Sequence, residues 1–443
     1  MDARGVKGIT IAIVVAVLVM PFIYHKHLKC NMSAIVNQVC SEYKAGIVSG
    51  SLCSDLCEQN SIHLGKCLST VTDKKIYDGD WKGMQVIVKV NMSWFEEFEK
   101  RKNITDNHAV ASFEKELQSR VSTLFGDCPR CGELALLLAT LGDGNSDGVV
   151  IGSEARTFIS LLQFIEPTML MILNDSKHTV DFYGYCGGLY ALEKVPKVVS
   201  KEFGAHWEPV DISFLSYGDP FQEMLNEFLG GVRNAVIFAM QYCCAVLNDA
   251  LNLTRYHIFA TLFQMLSPSK REKFELAYSM LDATLEISNN PYGLVRQCDG
   301  HLGNFGITNN ASVKIIDLDL TYPHVFLKTL LEQKKCVSDE ECWAGNSEGC
   351  FSLCNTSSGF CTPTTVVQGV HIICEVLFPI IFRGPNILEP QGHNTTFLTK
   401  AISKLGLFCS KLPVVNSIED LRREILAVKR RLKTIEIRSS KKC

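Results

Sequence analysis

The stretch CDGHLGNFGITNNASVKIIDLDLTYP, Cys298 to Pro323, decides how the rest of the chain is read. Asp299 is followed five positions later by Asn304, and Asp317 lies thirteen beyond that. The glycines and asparagines between them predict turns. The run Ser312–Leu320, SVKIIDLDL, has the apolar pattern of a strand. The string therefore reads as turn, short strand, turn, strand, with a carboxylate or an amide oxygen at each bend.

Asp299 to Asn304 has the D-x-x-x-x-N spacing of a protein-kinase catalytic loop, and Asp317 falls where a kinase places its metal-binding aspartate. Phosphoryl transfer is mostly charge management. Two oxygen ligands must hold magnesium (or manganese) on the ATP phosphates, and a carboxylate must stand at the acceptor hydroxyl. Asn304 and Asp317 supply the ligands, and Asp299 supplies the catalytic base. The same chemistry needs a strand lysine on the phosphates and a helix glutamate to orient it. Lys89 in VIVKV fits the first role. Glu166, an isolated acid in LLQFIEPTMLMIL, fits the second, because burying it unpaired would be costly. Together these four residues and Asp299 predict an ATP site.

Several kinase parts are absent. No G-x-G-x-x-G precedes Lys89; HLGKCLST offers only Gly65. Gln297-Cys298 stands where His-Arg would, Asp317-Leu318-Asp319 replaces Asp-Phe-Gly, and no A-P-E segment follows. These gaps keep a second reading open, a catalytically inactive pseudokinase acting as a lumenal binding scaffold.

Between Lys89 and Glu166 lies a second motif. Asp143-Gly-Asn145-Ser-Asp147-Gly148-Val149-Val-Ile-Gly-Ser-Glu154 matches D-x-[DN]-x-[DN]-G-x5-E throughout. Asp143, Asn145 and Asp147 offer side-chain oxygens, Val149 its carbonyl and Glu154 a bidentate carboxylate, the donor set of a calcium loop. Flanking helical patterns complete an EF-hand. Its insertion accounts for the 77 residues separating Lys89 from Glu166.

The compartment follows from other features. Nineteen cysteines in 443 residues, with a single CxxC at Cys128–Cys131, predict disulfides rather than metal clusters. Eight Asn-X-Ser/Thr sequons predict glycosylation at Asn31, Asn91, Asn103, Asn174, Asn252, Asn310, Asn355 and Asn394. Gly8–Tyr24 carries no charge and is followed by bulky residues instead of a small-residue cleavage site. It reads as a signal-anchor helix, with a cleaved signal peptide as the alternative. Sequons and cysteines place everything after about residue 25 in the lumen. The formal net charge of −3 argues against a nucleic-acid partner.

Periodicity predicts two strands around Gly83, helices over 112–141 and from Ser153 toward Leu173, and strands on either side of Cys186-Gly187-Gly188. It also predicts apolar helices over 220–265, a helix starting at Ser267-Pro268, and a capped basic amphipathic helix near the C-terminus.

Five stretches carry a resemblance: CSEYKAGIVSGSLCSDLC with LGKCLST, DGNSDGVVIGSEA, YGYCGGLYALEKV, the Asp299–Asp317 string, and CVSDEECWAGNSEGCFSLC. Through them the chain resembles the divergent protein kinase domain 1 family, cysteine-rich type II membrane proteins of the endoplasmic reticulum. The resemblance implies an α+β, bilobal protein-kinase-like fold, rich in disulfides, with EF-hand helices inserted between the lysine strand and the glutamate helix. It implies residence in the endoplasmic reticulum membrane, with the Golgi as the alternative. The expected organisation is a cytosolic tail (1–7), an anchor (8–24), a cysteine-rich region (25–67), an N-lobe (68–196, EF-hand insertion about 110–160), and a C-lobe (197–443, cysteine-rich insertion 336–361). The expected activity is transfer of the ATP γ-phosphate to a protein or small-molecule hydroxyl, modulated by calcium.

Overall fold

A computed structural model describes residues 32–69, 73–203, 268–344, 349–367, 369–382 and 397–440. The apolar run 8–24 and the helices expected over 220–265 lie outside these residues. Among the described residues no helix is long and apolar enough to cross a membrane. The chain divides into two compact units, Met1–Asp175 with Val180–Lys194, and Ser176–Thr179 with Val195–Cys443.

The first unit is built on an antiparallel sheet of β1 (Ile62–Ser69), β2 (Lys74–Trp81), β3 (Met84–Asn91), β4 (Phe182–Cys186) and β5 (Leu189–Glu193), in the order β1-β2-β3-β5-β4. The β2–β3 hairpin forms where expected. Lys82 and Gly83 both have positive φ, 54° and 83°, as a two-residue hairpin turn that matches the strand twist demands. The alternation in β3 then sorts its side chains. Val86, Val88 and Val90 are buried on one face, and Lys89 projects from the other, level with Ile76 of β2 and Tyr190 of β5.

The residues expected to form a separate stapled N-terminal region contribute to this sheet. β1 straddles the expected boundary at residues 67 and 68, and Cys53 is bonded to Cys186 at the end of β4. A further bridge, Cys40–Cys57, ties the helix Met32–Lys44 to the short helix Cys53–Cys57.

The helix expected over 112–141 is two helices, Asp106–Phe125 and Cys131–Gly142. Gly126, at φ 70°, ends the first, and the Cys128–Cys131 bridge closes the turn between them. The stretch from Ser153 to Leu173 likewise divides into Gly152–Leu161 and Ile165–Ile172. In the second case apolar residues Leu162, Phe164 and Ile165 run across the break, so periodicity alone merges the helices; in the first, Gly126 and Pro129 mark the break in the sequence itself.

The second unit opens on a short strand β6 (Lys197–Val198) and contains the helix Lys270–Ser288. The N-cap of that helix is Ser269, whose hydroxyl accepts from the Glu272 amide, while the Glu272 carboxylate accepts from the Ser269 amide. The strands β7 (Asn289–Asn290), β8 (Gly293–Gln297), β9 (Phe305–Ile307), β10 (Val313–Ile315) and β11 (Thr321–Pro323) form two small sheets, β11-β8-β7 and β10-β9-β6. A hairpin of β12 (Ser352–Asn355) and β13 (Phe360–Thr365) carries the second cysteine cluster, with bridges Cys336–Cys354 and Cys342–Cys361.

The amphipathic C-terminal helix spans Ile418–Ser440. Its stripe of Leu421, Ile425, Val428 and Leu432 is buried, and its Lys429 pairs with Asp282 of the helix Lys270–Ser288. Its apolar face is therefore used within the unit, and the remaining basic residues form a largely solvated face.

Candidate active site

In the first unit, the site centres on Glu166, the second residue of the helix Ile165–Ile172. Its carboxylate is 2 % exposed and is shared. One oxygen takes Lys89 of β3 in an ion pair. The other takes Lys74 of β2 at 3.1 Å and the Tyr190 hydroxyl of β5 at 2.5 Å. Burial opposes ionisation of this group. The charges of Lys74 and Lys89, with hydrogen bonds from Lys89 and Tyr190, outweigh it and hold the carboxyl well below the usual carboxylate range.

The register explains why these groups meet. Ile76 lies opposite Lys89, so Lys74 lies opposite Asn91, two residues along on the same face. Lys89 in turn faces Tyr190. Three strands thus aim two ammonium groups and one phenol at one helix terminus. Sequence reading singled out Lys89 and Glu166 and missed Lys74 and Tyr190. The signal was present: a two-residue turn at Lys82-Gly83 sets the hairpin register, and the register puts Lys74 and Lys89 on one face.

In the second unit, Asp299 follows β8 and Asp317 precedes β11, and these two strands pair antiparallel with Gln297 opposite Thr321. That pairing brings the two aspartates to one end of the sheet. The backbone completes the arrangement. The Cys298 amide donates to the Leu320 carbonyl at 2.8 Å, and the Ile316 amide donates to the Asn304 carbonyl at 2.9 Å. Asn304, in the 3-10 turn Leu302–Asn304, donates its Nδ2 to the Asp299 carbonyl at 3.4 Å. That bond orients the amide, with Nδ2 toward the Asp299 carbonyl. An amide and a carboxylate, on segments joined by the Ile316–Asn304 backbone bond, are oxygen donors of the type a hard cation such as magnesium takes. His301 serves the turn, its Nδ1 accepting from the Gly303 amide at 3.0 Å.

The catalytic-loop segment is clamped from two sides. Cys298, in the position expected to be arginine in a kinase, is bonded to Cys350. On the other side, Gly300 lies against a helical run over 369–382. A β-carbon at Gly300 would stand 1.7 Å from Ile372 Cγ2, a separation no side chain survives. The middle of that run, Ile372–Leu377, is a π-helical turn, a distortion often found at functional sites. Between the turn and the loop is a cleft of about 460 Å³ lined by Asp299, His301, His371, Ile372 and Glu375 among others. This size suits a small molecule or a single side chain.

The expected calcium loop joins the helices Cys131–Gly142 and Gly152–Leu161 in the first unit. Ser146 and Gly148 have positive φ, 57° and 87°, and bend the chain sharply. The Gly148 amide donates to Asp143 at 2.7 Å and the Val149 amide to Asp147 at 2.8 Å. The amides of Asn145 and Ile151 donate to the two oxygens of Glu154, at 3.2 and 3.0 Å. Val149 is exposed, and Glu154 is buried. Burial, with the nearby Asp143 and Asp147 charges, raises the Glu154 pKa despite the two amides. A buried carboxylate destabilised in its charged form, facing two more acids across a tight loop, fits the donor set a calcium ion requires.

Of the sequon asparagines, Asn103, Asn174, Asn310 and Asn355 are exposed, and Asn91 is half-buried with its Oδ1 accepting from the Trp94 amide. Asn31, Asn252 and Asn394 lie outside the described residues.

Two family models match the chain. One, described as the protein-kinase domain of FAM69, matches residues 158–405. The other, described as the N-terminal cysteine-rich ER region of FAM69, matches residues 6–122.

Proposed function

We propose a function from this premise: the chain belongs to the FAM69 family, and residues 158–405 are its kinase-like domain. In this reading it is a divergent kinase of the secretory pathway that transfers the ATP γ-phosphate to a hydroxyl acceptor in the lumen of the endoplasmic reticulum. The N-terminal apolar run holds it in the membrane as a type II protein, and the exposed sequons are glycosylated. The supporting observation is the buried Lys89–Glu166 pair, since a charge pair this desolvated is poorly explained by stability alone.

Each unit has its own part. In the first, Glu166 orients Lys89 toward the nucleotide phosphates. In the second, Asn304 and Asp317 would hold magnesium, which supplies charge neutralisation at the phosphates when bound. Asp299 accepts the proton of the acceptor hydroxyl, and the neighbouring cleft receives the acceptor. The test is transfer of labelled γ-phosphate by the purified lumenal chain, wild type against Asp299→Ala. Label that depends on Asp299 supports the reading, and equal transfer by both proteins overturns it.

One observation favours the scaffold reading. The sequence between β1 and β2, Thr70-Val71-Thr72-Asp73, contains no glycine. A protein that binds MgATP in an Asp317-dependent way and transfers no phosphate under any condition would be a pseudokinase.

Calcium modulation follows from the path out of the EF-hand loop. Glu154 lies in the first turn of the helix Gly152–Leu161, and only residues 162–164 separate that helix from the one that carries Glu166. Calcium on Glu154 would steady the helix pair that carries Glu166. With a dissociation constant of ~10⁻⁴ M, 10 mM calcium should stabilise the folded chain by about 2.7 kcal/mol. The thermal midpoint should rise in the wild type and stay fixed in Glu154→Gln. An equal rise in both would remove calcium from the account.

A further inference from the structure

The residue that shares Glu166 with Lys89 has no role in the scheme above. We propose that Lys74 is a second phosphate-holding cation, and that Lys74 and Lys89 grip a polyphosphate chain as a pair. The proposal rests on the reading of the first unit as the part that holds nucleotide phosphates.

Four observations carry it. First, Lys74 opens β2, at the end of the segment that joins β1 to β2. In a kinase the corresponding segment is the glycine-rich loop that covers the phosphates. Second, the sequence of that segment here is Thr70-Val71-Thr72-Asp73. Glycine lets backbone amides approach a phosphate closely, and β-branched residues obstruct that approach. Side chains must then supply the positive charge that the backbone does not. Third, Lys74 and Lys89 lie on one face of the sheet, and Lys75, between them in register, lies on the other. Fourth, the two ammonium groups sit on opposite oxygens of one carboxylate. Both ammonium groups therefore lie within reach of one and the same anionic group. Lys74 is the more accessible of the two, with 13 % of its side chain exposed against 4 % for Lys89.

A purely structural Lys74 would also neutralise Glu166, so the test must read ligand binding. The probes are inorganic tripolyphosphate and MgATP, titrated calorimetrically into the whole lumenal chain. Hydrogen bonds to charged groups are strong enough that Lys74→Met should weaken both ligands by about tenfold to a hundredfold. Lys74→Arg should recover most of the loss, and Lys75→Met should bind as wild type. A second measurement needs no variant. Acetylation of the wild-type protein, read by peptide mass spectrometry, should slow at Lys74 when tripolyphosphate is present.

The outcomes separate cleanly. A wild-type protein that binds neither probe, Lys74→Met protein with wild-type affinity, or Lys74 acetylated equally fast with and without tripolyphosphate each overturns the proposal. MgATP binding and transfer that are indifferent to Lys74 would leave the kinase reading standing. Lys74-dependent tripolyphosphate binding without phosphate transfer would support the paired grip and count against the kinase reading.

Discussion

Glu166→Ala is expected to destabilise the folded chain by about 3–5 kcal/mol, the cost of leaving a buried charge without its partner. The variant removes the ion pairs that Glu166 makes with Lys89, 4 % exposed, and Lys74, 13 % exposed, and its hydrogen bond from the Tyr190 hydroxyl. Tyr190→Phe should cost less, about 1.5–3 kcal/mol, since it removes one hydrogen bond to a charged group and leaves both ion pairs in place. Urea unfolding of the two variants should give that order. The pH dependence has a definite sign. The folded-state pKa of Glu166 is depressed, so its contribution is present at neutral pH and is lost as pH falls below the range where free carboxylates titrate. Wild type and Glu166→Ala should therefore approach each other in stability on acidification. A Glu166→Ala protein within about 1 kcal/mol of wild type at pH 7 would mean that the carboxylate is not buried among charges as described.

The second large effect concerns the bridge beside Asp299, the proposed base. Replacing Cys298 and Cys350 together by serine should lower stability by about 2–5 kcal/mol, the usual range for a native bridge in a lumenal domain. The sequence separation closed by the bridge is 52 residues. The cost should extend to the site, because Cys298 immediately precedes Asp299. The segment is packed tightly: a β-carbon at Gly349 would stand 1.9 Å from the Cys298 carbonyl oxygen, and one at Gly300 would meet Ile372. Without the bridge, the loop loses its covalent tie and is held there by packing such as that of Gly300 on Ile372. Transfer that depends on Asp299 should then fall at temperatures where the variant is still folded, as judged by circular dichroism. A double-serine protein with the wild-type midpoint and wild-type transfer would show that the bridge holds nothing in place.

The tight loop over 143–154, the β2–β3 hairpin and the capped helices were legible because each is a local pattern. Lys82-Gly83 needs positive φ at two adjacent residues and has a glycine at one of them. Ser269 and Glu272 satisfy each other's amides across one turn. Asp299, Asn304 and Asp317 could be picked out because the β-strands that return them to one end of a sheet are short and their spacing is diagnostic. The helix break at 162–164 was not legible, because apolar spacing survives the interruption; the one at Gly126 was missed although Gly126 and Pro129 signal it.

By itself the sequence determined the chemistry on offer: oxygen donors at fixed intervals, a strand lysine, an acid in an apolar helix, and cysteines suited to an oxidising compartment. All of this is written in residue type and short-range order. Only the tertiary structure decided which cysteines pair, that Cys53 reaches Cys186 and Cys298 reaches Cys350, and that Lys74 joins Lys89 on Glu166. Those choices depend on strand register and side-chain packing between residues far apart in the chain. A pattern of residue types leaves many such pairings open, and a close-packed interior admits few.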